Sequence, residues 1–451
     1  MAAGIALWSI NLVHNRDLFL DEANVVRNLF DRSYLDLFRP LDHRQYAPPL
    51  YLVWTKALAE VLGYCEWVLR LPAFCGGLLG ALALWRGSRQ LLTGYWRLLP
   101  LALLFANPTV LRYVTEVKPY GLDLGVAALL LYLHLQPRPP APGGWLAIGV
   151  LVPWLSLPSV FVLATVGLRG LAADRRWLGV IAAWLGSFGL LYVTVLAPSV
   201  GSGYLNDFHR DYFIPLSADA DARGQIGRIL LRLLRLSVGF TLLALLWGAG
   251  TQVVAALRCS GKWWLLWPLL LVAAASALQL YSLLDRLVLF VLPGMWWFTA
   301  LGAQEAARLL RKRGKWPFGV FVLITVIAVG GTTPWRYAWA PVRTSDARRL
   351  AAYPAGPDTY VDESAVPVVD YYRRIRPGAG STDEPRRSVD YPRDRSYTVL
   401  FDVTTARSTY RRVEELADRA RQRSPQCEVT IEELYRARVV RVRCPGRNSD
   451  P

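Results

Sequence analysis

Residues 1–30, MAAGIALWSINLVHNRDLFLDEANVVRNLF, set the reading of the whole chain. The run 1–14 has no Lys, Arg, Asp or Glu and is apolar throughout most of its length. Arg16, Asp17 and the acidic pair Asp21-Glu22 follow at once, and the segment 23–30 has the spacing of an amphipathic helix. Ionisable groups beside a bilayer are costly and are retained where they act, so Asp21 and Glu22 are the first candidates for chemistry. A purely structural role stays open, because acids also favour the positive end of a helix.

Working outward, apolar runs of about 20 residues recur almost to the C-terminus. Of 451 residues 53% are hydrophobic, which places the chain among all-α polytopic membrane proteins. The expected spans are 1–14, 67–85, 97–110, 120–136, 144–157, 158–173, 177–197, 230–257, 263–283, 287–304 and 316–333, eleven in all. The formal charge of +17 is no sign of nucleic-acid binding: 46 of the 51 basic residues are Arg, and many sit in short loops between apolar runs. Residues 1–13 have no basic stretch and no small-residue cleavage site, so a cleaved leader is not expected. The shortness of the first span points to a natural start upstream.

Alternate loops, 86–97, 137–143, 174–176, 258–262 and 305–315, hold Arg86, Arg89, Arg97, Arg138, Arg175, Arg176, Arg258, Lys262, Arg308, Arg311, Lys312, Arg313 and Lys315 against only Asp174 and Glu305. The positive-inside rule makes those loops and the N-terminus cytoplasmic. The other side, outside the cell (inner) membrane, then receives loop 15–66, with six basic and eight acidic residues, loop 198–229 and the tail 334–451. Everything downstream depends on a break at Leu157-Pro158, since merging the two flanking spans would invert it.

Two domains are expected: a multi-pass unit over 1–333 and a small extracytoplasmic α/β unit over 334–451. In the tail, alternating patterns at 358–362, 397–403, 427–431 and 437–443 predict strands, and 343–353 and 406–423 predict helices. Cys427 and Cys444 flank the last two strands, where antiparallel pairing would bring the sulfurs together in a compartment that permits disulfides; two unpaired thiols are the alternative. Cys65, Cys75 and Cys259 lack metal-site spacing and read as packing residues.

Loop 15–66 is too long for a passive hairpin, and its amphipathic pieces 23–30 and 50–62 suit the bilayer interface. After Asp21-Glu22 it contains His43-Arg44-Gln45-Tyr46-Ala47-Pro48-Pro49-Leu50-Tyr51, then Glu66-Trp67-Val68-Leu69-Arg70-Leu71-Pro72 opening the second span. The next loop on that side reads Arg112-Tyr113-Val114-Thr115-Glu116-Val117-Lys118-Pro119-Tyr120. Acid, base and aromatic thus recur on one side of the membrane.

The order of these pieces over residues 15–125 resembles the GT-C superfamily of membrane glycosyltransferases, in particular the relatives of protein O-mannosyltransferase that include the lipid A aminoarabinose transferase family. The resemblance implies a multi-pass enzyme that takes a sugar from a polyprenyl-phosphate carrier and passes it, with inversion, to an acceptor on the outer side. The acceptor is a lipid, a polysaccharide or a protein.

The chemistry asks for the same groups. An acceptor hydroxyl needs a carboxylate to take its proton, a role given to Asp21 with Glu22 orienting it. The departing lipid phosphate needs preorganised cations, each worth about 3 kcal/mol, and Lys118, Arg112 and Arg286 with Tyr120 are the candidates. Glu116 either sets the geometry of Lys118 or holds a divalent cation, magnesium or manganese, with another acid; no His/Asp cluster of ligand spacing accompanies it. His43, Tyr46 and Arg70 are candidate substrate contacts.

Each has an ordinary alternative. His43 is equally a plain loop residue, Arg70 equally a snorkelling arginine, and Asp285-Arg286 equally an interfacial ion pair. Tyr113 and Tyr120 suit an interfacial aromatic belt, and Pro48-Pro49 a rigid elbow. Arg228, Arg232 and Arg235 share one helical face and meet either a carrier phosphate or anionic headgroups. Segment 204–210 is long and polar enough for a mobile cover. No glycine cluster forms a nucleotide-phosphate loop, which disfavours a nucleotide-sugar donor. A lipid-linked sugar transporter or a non-catalytic cell-envelope assembly partner remain the other function classes; the first commonly shows internal repeats, which are not evident.

Overall fold

The computed structural model describes residues 1–199, 208–217, 219–331, 335–354, 356, 358–375, 395–403 and 407–445. The first half is a bundle of α1 (Ala2–Val13), α2 (Leu20–Asp31), α3 (Pro49–Leu62), α4 (Glu66–Leu91), α5 (Leu99–Ala106), α6 (Pro108–Val114), α7 (Tyr120–Leu135), α8 (Pro142–Leu155) and α9 (Ser159–Ala173). It continues through α10 (Trp177–Leu191), α11 (Ala220–Val238), α12 (Leu242–Arg258), α13 (Trp267–Ala277), α14 (Leu292–Arg313) and α15 (Lys315–Gly330). Three helical segments among the described residues, Glu66–Leu91, Trp177–Leu196 and Asp285–Arg313, are each long and apolar enough to cross a membrane, and six shorter apolar helices accompany them. Leu178, Leu185, Leu190 and Val193 line an exposed side of the second, an apolar surface that water would not tolerate. This is a multi-pass membrane protein.

The amphipathic pieces of loop 15–66 are the helices α2 and α3, and α8 and α9 are separate helices with the break at Ser156–Pro158. The expected span 230–257 is corrected. Its two halves, α11 and α12, meet at 95°. Gly239 at the corner has φ 108°, a left-handed conformation that glycine tolerates, and α11 is amphipathic, with Arg228 and Arg235 exposed opposite buried Ile229, Leu233 and Leu236. A helix with that charge cannot sink into hydrocarbon, so only α12 continues the apolar path. The expected span 97–110 is also interrupted, by Asn107, whose side chain caps α6 through Thr109 N and Val110 N.

The bundle centre is built on close approach. Helices α4 and α7 cross with Gly76 and Gly125 against each other's backbone: a Cβ on Gly125 would collide with the Gly76 carbonyl, and one on Gly76 with the backbone of Leu122. Indole hydrogen bonds tie α14 to its neighbours, Trp297 Nε1 to Ser88 Oγ at 3.1 Å and Trp296 Nε1 to Ser237 O at 2.7 Å.

In the tail, β1 (Thr359–Val361), β2 (Tyr397–Asp402), β3 (Glu428–Leu434) and β4 (Ala437–Arg443) form one sheet in the order β1-β2-β4-β3, parallel between β1 and β2 and otherwise antiparallel. Helix α16 (Ala347–Ala351) precedes the sheet, α17 (Val366–Arg374) follows β1, and α18 (Arg407–Arg423) follows β2. Val413, Leu416 and Ala420 of α18 cover one face at Val399, Phe401, Val440 and Val442. The other face gives Leu400 and Val439 to the core shared with the helices. Cys427 and Cys444 are joined by a disulfide across the ends of β3 and β4. Helix α17 was not expected from sequence, being a single short amphipathic element with a proline in its first turn.

Replacing Gly125 by Leu should destabilise the bundle by about 1–3 kcal/mol, as forced overpacking does. Leucine at Gly143, where an added side chain meets open space, should not. Melting of both variants in detergent checks the contrast, and equal melting temperatures would refute the crossing.

Candidate active site

Glu22 stands at the third position of α2, and its carboxylate accepts the Phe19 backbone N–H at 3.1 Å, so the structural role open to the acidic pair falls to this residue. It does more. Arg70 donates to it through Nε at 3.0 Å and Nη2 at 3.1 Å, and Val117 N donates at 2.8 Å. Both side chains are entirely buried. Burial would push the Glu22 carboxyl up, but Arg70 and Arg16 beside it, with the hydrogen bonds, hold it below its usual value. Arg70 also binds the carbonyls of Arg16 and Asp17, at 2.9 and 3.5 Å. Arg70, expected as a substrate contact, thus spends its hydrogen bonds on Glu22 and two backbone carbonyls, and Glu22 lies inward in the same network.

Around this pair lies a second layer. Arg16 is buried and donates to Thr115 Oγ1 at 3.0 Å, while its Nε and Nη2 have no hydrogen-bond partner among the described residues. Burial, with Arg70 close by, lowers its pKa to about 10. Glu116 is buried as well, and burial together with the charge of Glu22 raises its carboxyl pKa. Its partner is Arg112, at 3.2 Å, one helical turn earlier. Lys118 N donates to Glu116 O at 2.7 Å in a backbone turn, and the two charged side chains lie within electrostatic reach of each other.

Asp21 faces the other way. Consecutive residues of a helix lie about 100° apart, so burying Glu22 leaves Asp21 on a part-exposed side of α2. There Arg286, at the start of the segment that leads into α14, approaches Asp21 Oδ2 to 3.6 Å, and both side chains keep about a quarter of their surface exposed, 23% and 27%. Lys118 lies within electrostatic reach of both and donates to Gln45 Oε1 at 2.5 Å; burial lowers its pKa. Tyr120 and Tyr113 meet edge to face at 5.2 Å, and both lie within reach of Arg286. Asp21, Lys118, Arg286 and Tyr120, four of the residues singled out in the sequence, therefore converge. Arg112 borders them, with its guanidinium 5.3 Å from the Tyr113 ring.

His43 and Tyr46 flank Gln45, the residue that accepts from Lys118. His43 is exposed, with φ 60°, and its carbonyl accepts from the Gln45 side chain at 3.1 Å. Of segment 204–210, residues 204–207 lie outside the described residues; His209 comes within reach of Arg286. On the α11 stripe, Arg232 stacks on Tyr212 at 4.7 Å and faces Asp285.

Three contributors escaped the sequence reading. Arg16 was given no role, Gln45 stood unassigned in its motif, and Arg348 lay far off in the tail. Arg348 joins Glu66 at 2.6 Å and Asp17 at 3.2 Å, and its backbone N–H reaches Asp17 Oδ2 at 2.8 Å. Four residues after Asp17 stands Asp21. No sequence signal links the tail to this loop.

A divalent cation wants several free oxygen ligands. The oxygens of Glu22 are taken, Glu116 faces Arg112, and Asp21 faces Arg286. No group of three or more His, Cys, Asp or Glu gathers among the described residues, so the residues present do not fit the magnesium or manganese expected as an option.

No family model and no curated protein sequence matches the chain. Solved structures do. ArnT from Cupriavidus metallidurans bound to undecaprenyl phosphate aligns over 98% of this chain and 96% of its own, at a TM-score of 0.55 and 14% identity. The chain has the ArnT fold. The apo state of the same protein aligns over the same shares at a TM-score of 0.50 and 16% identity. An Archaeoglobus fulgidus oligosaccharyltransferase, tethered with an acceptor peptide, matches 86% of this chain and 57% of its own at a TM-score of 0.42 and 13% identity, too low a likeness to argue from. The likeness of fold to ArnT covers 98% of this chain, well beyond the residues 15–125 that carry the sequence resemblance.

The Glu22 and Arg70 pair yields a stability prediction. Removing one partner strands the other charge in the interior, so Glu22→Gln should cost about 3–5 kcal/mol. Because folding lowers the Glu22 pKa, its contribution is complete above the usual value of 4.5 and is lost as pH falls through the lowered one. Melting followed from pH 7 to pH 3, in the intact protein and the variant, checks both. A steep acid loss kept in Glu22→Gln would assign the effect elsewhere.

Proposed function

We propose that the protein is an inverting glycosyltransferase that moves a sugar from a polyprenyl-phosphate donor to an acceptor hydroxyl at the outer face of the cell membrane. The observation that carries this reading is the loose, quarter-exposed approach of Asp21 and Arg286 with Lys118 alongside, set in the ArnT fold. In the buried pair both carboxylate oxygens and all three guanidinium nitrogens are engaged; in the part-exposed one, base and cation stand side by side at 3.6 Å, beyond hydrogen-bond distance. That is the arrangement needed where one bond forms as another breaks.

In this reaction Asp21 takes the proton of the acceptor hydroxyl as its oxygen attacks the anomeric carbon. The bond from that carbon to the phosphate oxygen breaks on the opposite face of the sugar, so configuration inverts. The electron pair leaves with the lipid phosphate, whose added charge Arg286 and Lys118 stabilise. Tyr120 and Arg112 complete the phosphate side, and His43 and Tyr46 belong to the rim where an acceptor enters. Undecaprenyl phosphate is what the ArnT structure binds, which supports a prenyl-anchored donor here.

The membrane arrangement belongs to the same proposal. Residues 1–333 form the multi-pass unit, of about eleven crossings if the bent and broken segments are counted, with the N-terminus in the cytoplasm. Residues 334–451 form the extracytoplasmic unit, where the Cys427–Cys444 disulfide is at home. Sugar and acceptor identity are set by contacts this reading leaves unspecified.

Reconstituted transfer of labelled sugar from undecaprenyl-phosphate donors tests it. Asp21→Asn should abolish product while undecaprenyl phosphate still binds; normal turnover would remove Asp21 as the base. Lys118→Ala should lower transfer by a factor on the order of 100, matching the loss of one stabilising group. Movement of lipid across the bilayer with no glycosylated product would instead favour a transporter.

Chelation is a separate check. With Arg286 and Lys118 supplying the positive charge, transfer should survive an excess of EDTA, and activity restored only by magnesium or manganese would contradict this assignment of the cations.

A further inference from the structure

The polar cluster does not end at Tyr120. Three residues on, on the same face of α7 and about 4.5 Å deeper by helical rise, stands Asp123, buried to 6% exposure. A carboxyl group inside an apolar bundle is costly and asks for a reason. Its Oδ1 accepts from Ser156 Oγ at 2.7 Å, at the break between α8 and α9. No cationic side chain offsets its charge among the described residues.

The surroundings are hydroxyls and rings. Tyr51 of α3 and Tyr281 lie within electrostatic reach of Asp123, and Tyr281 also of Tyr120, which connects this place to the Arg286 cluster. Phe161 meets Tyr281 edge-on at 5.2 Å and stacks with Phe290 at 5.6 Å. Ser159 begins α9 in the turn after Ser156, and its buried hydroxyl has no hydrogen-bond partner among the described residues. The Ser282 hydroxyl, next to Tyr281, is buried without one too. Buried polar atoms left unsatisfied in this way want a partner from outside the chain.

A carboxylate without a counter-cation, unsatisfied hydroxyls and aromatic rings match a polyhydroxylated ring. Sugar hydroxyls donate to carboxylate oxygens and exchange hydrogen bonds with serine, while ring C–H faces rest on aromatic carbon. We propose that Asp123, with Ser156 and Ser159, is the sugar-recognition subsite, its carboxylate accepting hydrogen bonds from neighbouring hydroxyls of the donor ring. The proposal rests on the polyprenyl-phosphate reading above: with the phosphate at Arg286 and Lys118, the sugar hangs one helical turn inward. Asp123 moves no proton in the reaction; it selects what enters.

The test compares binding to the full-length protein in nanodiscs of bare undecaprenyl phosphate and of undecaprenyl phosphate carrying mannose, glucose or arabinose. The intact protein should prefer at least one of the glycosylated lipids. Asp123→Asn, which keeps the shape, should lower the affinity for that lipid on the order of tenfold or more, since a site built for a hydroxyl discriminates through it. It should leave bare undecaprenyl phosphate unchanged, and Ser159→Ala should reduce the same preference. A preference intact in Asp123→Asn overturns the subsite, as does an equal loss for bare and glycosylated lipid, the mark of a structural role. Absence of any preference in the intact protein does so as well. Failure of bare undecaprenyl phosphate to bind the intact protein would instead strike the donor reading itself.

Discussion

The buried contact between Glu22 and Arg70 is the constraint on which the candidate site depends. Two charges withdrawn from water are tolerated only where geometry and further hydrogen bonds compensate the desolvation. Here Glu22 accepts from Arg70 twice and from two backbone N–H groups, while Arg70 also binds two carbonyls of the segment before α2. One ion pair thereby fixes α2, α4 and the loop 115–119 relative to one another. Asp21 and Lys118, each next to a residue of that network or one removed from it, have their positions set as a consequence.

The tail takes part in the same constraint. Arg348 binds Asp17, Glu66 and the Asn15 carbonyl, Thr344 donates to the Asp17 carbonyl, and the Leu18 N–H donates to the Tyr372 hydroxyl. Residues 15–18 are thus held from the membrane side by Arg70 and from the tail side by Arg348. On α2 itself Arg27 pairs with Asp370 at 3.0 Å. The sheet stands behind these contacts: its disulfide and its covering helix give rigidity to a unit whose other face merges with the core of the bundle.

Inside the bundle there is no hydrophobic drive between helices, so packing and buried hydrogen bonds decide their arrangement. Glycines let α4 and α7 meet backbone to backbone, and α7 is the helix that presents Tyr120 and Asp123. The bend at Gly239 turns the arginine-bearing α11 away from α12, and brings Arg232 to Tyr212 and Asp285 beside the site. Helix breaks near a membrane site are tolerated where the freed backbone groups find other partners, as Asn107 does for α6.

The sequence by itself determined the membrane character, most helices and the four tail strands, because those follow from hydropathy, period and spacing, all of them local; it left open whether Cys427 and Cys444 pair, which the structure decides. It also named Asp21, Lys118, Arg286 and Tyr120, since ionisable and aromatic groups at span ends stand out against apolar surroundings. It assigned the base role to Asp21 with Glu22 orienting it, but it did not show the partner that turns Glu22 inward, nor tell a snorkelling or substrate-bound Arg70 from a buried one: that partner waits 48 positions along the chain. The corner at residue 239, the clamp by Arg348 and the hydroxyls around Asp123 were decided by tertiary structure alone. Each depends on groups distant in sequence meeting in a low-dielectric interior, where a charge must find its partner and composition does not say which one.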